Sequence, residues 1–236
     1  MTHARMAMSP VEVFMAQDAA FRLSTVSVVE ALAASLRDRV LDGQLPPGTA
    51  LAETEIATEY GVSRPTARSA VTALVHEGLL HRDANKPAYV PRLTRADVED
   101  LFLVRTPLEA DVVRVLVRRG TVPVSAAARA IGDLGRLEPD APHSAFAEAD
   151  LRFHQSLVEA VGSPRLNRLY RGIQGEVHLC MVQTRRTLGR ERIIAEHTAV
   201  LDALKAGDEE GAARCMRAHL DGACRSLREM SGEPAR

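Results

Sequence analysis

The sequence predicts a mainly α-helical protein in two parts: an N-terminal winged helix-turn-helix, built of three helices plus a β-hairpin wing, followed by an all-helical bundle. Three observations predict it. Between residues 25 and 93, apolar residues recur at helical spacing in three segments, and two short strand-like runs follow them. From Thr94 onward the strand signals stop, and helix breakers recur at intervals that leave about six helices. Hydrophobic residues make up 46% of the 236, enough for proper cores without disulfides.

The elements follow in order. Ser27-Val28-Val29-Glu30 is a capping box opening a helix whose apolar side is Val29, Leu32, Leu36, Val40 and Leu41. Gly43 and the Pro46-Pro47-Gly48 turn end it. A short helix from about Glu53 to Tyr60 buries Ile56 and Ala57. Gly61-Val62-Ser63 is a tight turn, and Ser63 caps a third helix with Pro65 in its tolerated first turn. That helix turns Ala67, Ala70, Val71, Leu74 and Val75 inward and stops at Gly78. The runs Leu79–Arg82 and Ala88–Arg92, joined by Asp83-Ala84-Asn85-Lys86-Pro87, predict the wing hairpin. Thr94-Arg95-Ala96-Asp97 opens the helical part, whose breaks fall at residues 120–123, 138–142, 162–164, 188–189 and 207–208. The expected division is a loose tail at 1–24, a winged helix-turn-helix domain at 25–93, an all-helical domain at 94–230, and a short tail at 231–236.

Composition excludes several classes. Lys and Arg total 30 against 31 Asp and Glu, and the two signs also cancel between Thr25 and Arg95. A DNA-binding face must therefore come from where charges sit, not from their sum. Cys180, Cys215 and Cys224 are odd in number and lack C-x-x-C spacing, so they read as reduced core thiols of a cytoplasmic protein. No apolar run reaches the roughly 18 residues of a membrane helix, and no signal-peptide pattern opens the chain. Aromatics are only 3%, which argues against a stacking platform for single strands.

In a helix-turn-helix the second helix enters the major groove with its N-terminal residues toward the base edges. Here those positions hold Ser63, Arg64, Thr66, Arg68 and Ser69. Arg64 and Arg68 are four apart and share a face opposite the apolar stripe. An arginine hydrogen-bonds guanine through O6 and N7, and hydroxyls at a helix start suit phosphate.

In the helical part stand five of the eight histidines. Asp150 and His154 are one helical turn apart, and His197 and His219 lie on later helices. One carboxylate and three imidazoles suit zinc first, with nickel and manganese as alternatives. Spacing alone leaves open whether the four meet.

These residues resemble a known family. Leu51-x-Glu53-x-x-Ile56-Ala57-x-x-Tyr60-Gly61-Val62-Ser63-Arg64-Pro65-Thr66-Ala67-Arg68-x-Ala70 is similar to the signature of GntR-family repressors, as are Leu74-x-x-Glu77-Gly78-Leu79-Leu80 and the upstream run from Arg39 to Gly48. The chain departs from that pattern at the wing tip, where Lys86-Pro87 stands in place of a basic-Gly pair, leaving Lys86 for a phosphate contact. Asp150-Leu151-Arg152-Phe153-His154, Glu196-His197 and Ala218-His219-Leu220 resemble the three segments of the FCD effector domain of the FadR-like branch. The resemblance implies that Asp150, His154, His197 and His219 bind a divalent metal. It also implies that Arg105 lines the ligand pocket, where a guanidinium grips a carboxylate through two parallel bonds. A structural pair of Arg105 with Glu109, one turn away, is the alternative. Asn167 and His178 are further candidate effector contacts. The expected function is a transcription regulator, a repressor by the family's commoner habit and not an enzyme. It would bind a pseudo-palindromic double-stranded DNA operator as a homodimer and answer to a small carboxylate metabolite. A metal sensor, a fatty acyl-CoA sensor and a helical metallohydrolase with Glu148 or Glu196 as base are the competing readings.

Overall fold

The structure, a computed structural model, describes residues 27–138, 140–184 and 189–230. The segments read as tails, 1–24 and 231–236, lie outside these residues, as does Leu188 of one expected break.

Helix α1 (Val28–Leu41) starts on the capping box. Ser27 Oγ accepts the Glu30 N–H at 3.1 Å, and the Glu30 carboxylate accepts the Ser27 N–H at 2.9 Å. Each bond satisfies an amide that a helix start leaves without a partner. A two-residue strand β1 (Ala50–Leu51) leads into α2 (Glu53–Tyr60), which stops at Gly61 with a left-handed φ of 64°. Helix α3 (Arg64–His76) follows the turn, capped by Ser63 Oγ on the Thr66 N–H at 3.2 Å. Its face of Ala67, Ala70, Val71 and Leu74 is sealed against Leu36 of α1 and Leu80.

The wing is a short hairpin to which a further strand is added. Strand β2 (Ala88–Tyr89) pairs antiparallel with β1, Ala50 opposite Tyr89 and Leu51 opposite Ala88. The run from Leu79 to Arg82 contributes only a bridge between His81 and Tyr89. Pairing with β1 brings Leu51 and Ala88 together into the core that Leu79 and Leu80 also enter. At the wing tip Asn85 takes φ +61°, the left-handed turn that glycine usually supplies and asparagine tolerates.

Six helices follow: α4 (Arg95–Arg119), α5 (Val124–Arg136), α6 (His143–Ala160), α7 (Pro164–Thr184), α8 (Arg190–Lys205) and α9 (Glu209–Met230). A second capping box, Thr94 with Asp97, opens α4. Gly162 (φ 70°) ends α6, and Ser163 Oγ takes the Leu166 N–H at 3.3 Å to start α7. Helix α4 packs chiefly along α9, with α5, α6 and α8 closing the bundle. Cys180 is buried, and Cys215 and Cys224 are partly so. No helix among the described residues is long and apolar enough to cross a membrane.

Candidate metal centre and nucleic-acid interface

Asp150 and His154 of α6, His197 of α8 and His219 of α9 meet inside the bundle, each offering a ligand atom within 4.8 Å of the others. All four are buried, His154 and His197 completely. His219 Nε2 lies 3.2 Å from His154 Nε2 and 3.3 Å from His197 Nε2, while an Asp150 oxygen lies 3.4 Å from His197 Nε2. The rings are not placed by chance. His154 turns Nδ1 to Glu109 Oε2 at 2.5 Å, and His219 turns Nδ1 to Glu196 Oε2 at 2.8 Å.

Those carboxylates test whether a cation fits. A carboxylate only accepts, so each Nδ1 carries the hydrogen and each Nε2 is left with a lone pair. In neutral rings two such lone pairs 3.2 Å apart repel. A divalent ion between them turns that repulsion into ligation, and carboxylate-held imidazoles are the usual second layer of such sites. Burial holds His154 and His197 below the ordinary histidine range, in the neutral form a metal requires. His197 is set differently: its ring stacks on Phe153 at 4.0 Å, and its Nδ1 has no partner among the described residues. The donor set therefore fits a divalent metal.

Beside this cluster lies a second buried unit. Glu109 Oε1 accepts from Arg105 Nε at 2.6 Å and from the Tyr170 hydroxyl at 2.8 Å, while its other oxygen holds His154. Burial alone would push the Glu109 carboxyl up; the Arg105 charge, with the hydrogen bond from His154, outweighs it and holds it well below the carboxylate range. Arg105 is 2% exposed, yet its Nη2 has no partner among the described residues. A buried guanidinium nitrogen without an acceptor is costly and marks where an anionic oxygen would be held.

At the other end of the molecule the start of α3 is exposed. Arg64 stands free of ion pairs among the described residues, whereas Arg68 Nε contacts Glu53 at 3.1 Å. Glu53 also takes Arg82 of the wing at 3.1 Å. Ser63 serves as the cap and also bonds the Thr66 hydroxyl at 2.7 Å. Ser69 is exposed on the same helix, and Lys86 reaches Asp83 at 3.3 Å.

Residues 28–90 match the gntR family of bacterial regulatory proteins, and residues 100–222 match the FCD domain. The chain belongs to the GntR family. It is similar to the gluconate operon transcriptional repressor of Bacillus subtilis, at 26% identity over 79% of each chain. It is likewise similar to the galactonate operon transcriptional repressor of Escherichia coli, at 24% identity over 88% of this chain and all of that one. Among solved structures, a transcriptional regulator GntR from Rhodococcus sp. RHA1 superposes with a TM-score of 0.70 at 26% identity, over 84% of this chain and 96% of that one.

In this GntR regulator the residues expected to form the metal site do come together. Arg105 stands next to them, and the pair with Glu109 that was its alternative role is also formed. Asn167 lies one turn before Tyr170 on α7, its Oδ1 buried without a partner among the described residues. His178 is not grouped with the metal-site four. Eight residues beyond Tyr170, it is rotated by about 80° and lies about 12 Å further along the helix. It lines a cavity of about 350 Å³ between the two domains, with Arg37, Glu77, Arg152 and Arg171. Of the two carboxylates offered as a hydrolytic base, Glu148 pairs with Arg152 at 2.7 Å on an exposed face, and Glu196 holds His219 and Arg192. The contacts of Glu109 with His154 and Tyr170 were not legible in the sequence, because nothing local ties these residues together.

Glu53 sits between Arg68 of α3 and Arg82 of the wing, so its removal has a testable consequence. Glu53→Gln is expected to tighten binding to random-sequence duplex DNA and to steepen its salt dependence by about one phosphate contact. Affinity titrations at several salt concentrations would show it; an unchanged slope means that Arg68 and Arg82 do not reach the backbone.

Proposed function

We propose that this regulator is a repressor that binds a pseudo-palindromic operator as a homodimer and is controlled by a small organic acid held between a divalent metal and Arg105. The observation that carries the reading is the buried juxtaposition of a four-donor cation site with a guanidinium whose Nη2 has no acceptor. The names of the two relatives, repressors of a gluconate and a galactonate operon, agree with an acid of that kind. Asp150, His154, His197 and His219 would hold the ion, zinc first and nickel or manganese as alternatives. When bound, it supplies a positive charge with room for an acid's oxygen. Arg105 grips the same acid, Glu109 keeps the guanidinium and the His154 ring in register, and Asn167 offers a further polar contact. Such a ligand acts by favouring one of two arrangements of the DNA-binding domains.

On the DNA side, Arg64 is the leading base-reading residue, with Arg68 beside it, and Ser63, Thr66, Ser69 and Lys86 are placed for phosphate. The test is selection of a random duplex library on the purified protein, with an Arg64→Ala/Arg68→Ala variant in parallel. Enrichment of a two-fold symmetric motif by the wild type alone is expected, each lost arginine removing roughly 1–3 kcal/mol of discrimination. The selected operator then serves to screen organic acids, with and without zinc, for release of DNA. Equal enrichment by the variant would remove α3 as the reader.

A further inference from the structure

Helix α7 belongs to the effector bundle, yet it is fastened to the DNA-binding domain at four successive places. Gly172 and Gly175 receive the end of α3 so closely that a Cβ at Gly175 would lie 1.7 Å from the Glu77 carbonyl oxygen. From the other side, a Cβ at Gly78 would lie 2.6 Å from the Gly172 carbonyl oxygen. One turn on, Leu179 is 1% exposed and belongs to the core of the DNA-binding domain, not to that of the bundle. Then Gln183 clamps the linker: its Nε2 donates to the Pro91 carbonyl at 2.7 Å, and its Oε1 accepts the Leu93 N–H at 3.2 Å. The seized end of α3 is itself tied back to α1, where Arg37 grips Glu77 with two bonds of 2.7 and 2.8 Å. The opposite face of α7 carries Tyr170, whose hydroxyl donates to Glu109 in the buried network.

We propose that α7 is the transmission element of this regulator, with Tyr170 sensing the state of the Glu109–Arg105 network and the Gly172–Gly175 notch passing it to the C-terminal end of the recognition helix. The inference rests on the effector site proposed above, but its geometry stands on packing alone. A helix is stiff along its axis, and the notch has little slack: the Gly172 and Glu77 carbonyls meet the facing glycines directly, with the Glu176 side chain packed alongside Gly78. A shift or rotation of α7 at Tyr170 must therefore move the end of α3 or break the seam. Because α3 is capped at its start by Ser63 and held to α1 at its end by the Arg37–Glu77 pair, a displaced end re-aims Arg64 and Arg68.

The test measures amide hydrogen exchange in the full-length protein and needs neither operator nor acid. The reporters are the amides of Glu77, Gly78, Leu79 and Leu80, all bonded to carbonyls in the last turns of α3. Tyr170→Phe, which removes only the hydroxyl, is expected to accelerate their exchange several-fold. In a Gly175→Ala background, where the seam is already forced open, Tyr170→Phe is expected to add nothing. Alanine favours the helix over glycine, so α7 itself should persist; if that variant fails to fold, Gln183→Ala, which releases the linker, takes its place in the cycle. Zinc content is measured alongside. Loss of zinc binding by the wild type would sink the metal reading while leaving the exchange cycle readable. The coupling role of α7 is overturned if Tyr170→Phe leaves the α3 amides unchanged, or if its effect is as large with the seam open as with it closed.

Discussion

Replacing Glu109 by alanine is expected to cost about 3–5 kcal/mol of unfolding free energy, the penalty of leaving a buried charge without its partner. Arg105 is 2% exposed and has no other carboxylate within bonding distance among the described residues. The same change strips the Tyr170 hydroxyl and His154 Nδ1 of their acceptor. Urea unfolding would show a lower midpoint, and metal affinity should fall by 10–100-fold, roughly the cost of losing a carboxylate behind a ligating imidazole. A double variant, Arg105→Met with Glu109→Leu, is expected to recover part of the stability, since apolar groups of similar volume replace a buried pair without stranding a charge. Recovery of metal affinity is not expected, because His154 would still lack its orienting group. A loss below about 1 kcal/mol for Glu109→Ala, the value of an exposed pair, would mean that the network relaxes into solvent.

The same groups set the pH response. Glu109 is held below its ordinary 4.5 because Arg105 and His154 outweigh the effect of burial, so its contribution is present above that value and is lost as pH falls. Burial holds His197 well below its ordinary 6.5; below that pH the unfolded chain takes up a proton that the folded chain refuses. Both act in one direction. The urea midpoint should fall from pH 7.5 to pH 5 as the histidine loss sets in near pH 6.5, and fall further below about pH 4.5 through the carboxylate. A midpoint that rises on acidification would contradict both assignments.

The second large effect is removal of metal. An ion that binds only the folded chain stabilises it by about 4 kcal/mol when free metal is a thousandfold above its dissociation constant. Chelation of the zinc-loaded protein should therefore lower the melting temperature by several degrees, and restored zinc should reverse it. In His219→Ala the zinc-dependent shift should vanish, since that ring contributes the nitrogen nearest both other imidazoles. An undiminished shift in that variant would place the ion elsewhere. Because His154 and His219 are oriented by carboxylates while His197 is held by stacking on Phe153, Phe153→Leu is expected to weaken zinc binding without changing its stoichiometry.

What the sequence by itself determined is whatever acts within about one helical turn. The two capping boxes, Ser27 with Glu30 and Thr94 with Asp97, the turn at Gly61, the break at Gly162, and the Ser63 cap were legible because donor, acceptor and backbone angle all lie a few residues apart. So was the Asp150–His154 spacing, and with the family signature so were the other two candidate ligands. The wing hairpin was legible because its His81–Tyr89 pair is local, whereas the pairing of Ala88 and Tyr89 with β1 was not, since it joins segments nearly forty residues apart. Tertiary structure alone decided that four donors converge. It also decided that Glu109 and Glu196, 45 and 23 residues from the rings they hold, turn lone pairs toward one point. It decided too that two glycines of α7 face the end of α3. In each case the contact joins segments far apart in the chain, and packing, not sequence spacing, sets the distance between them.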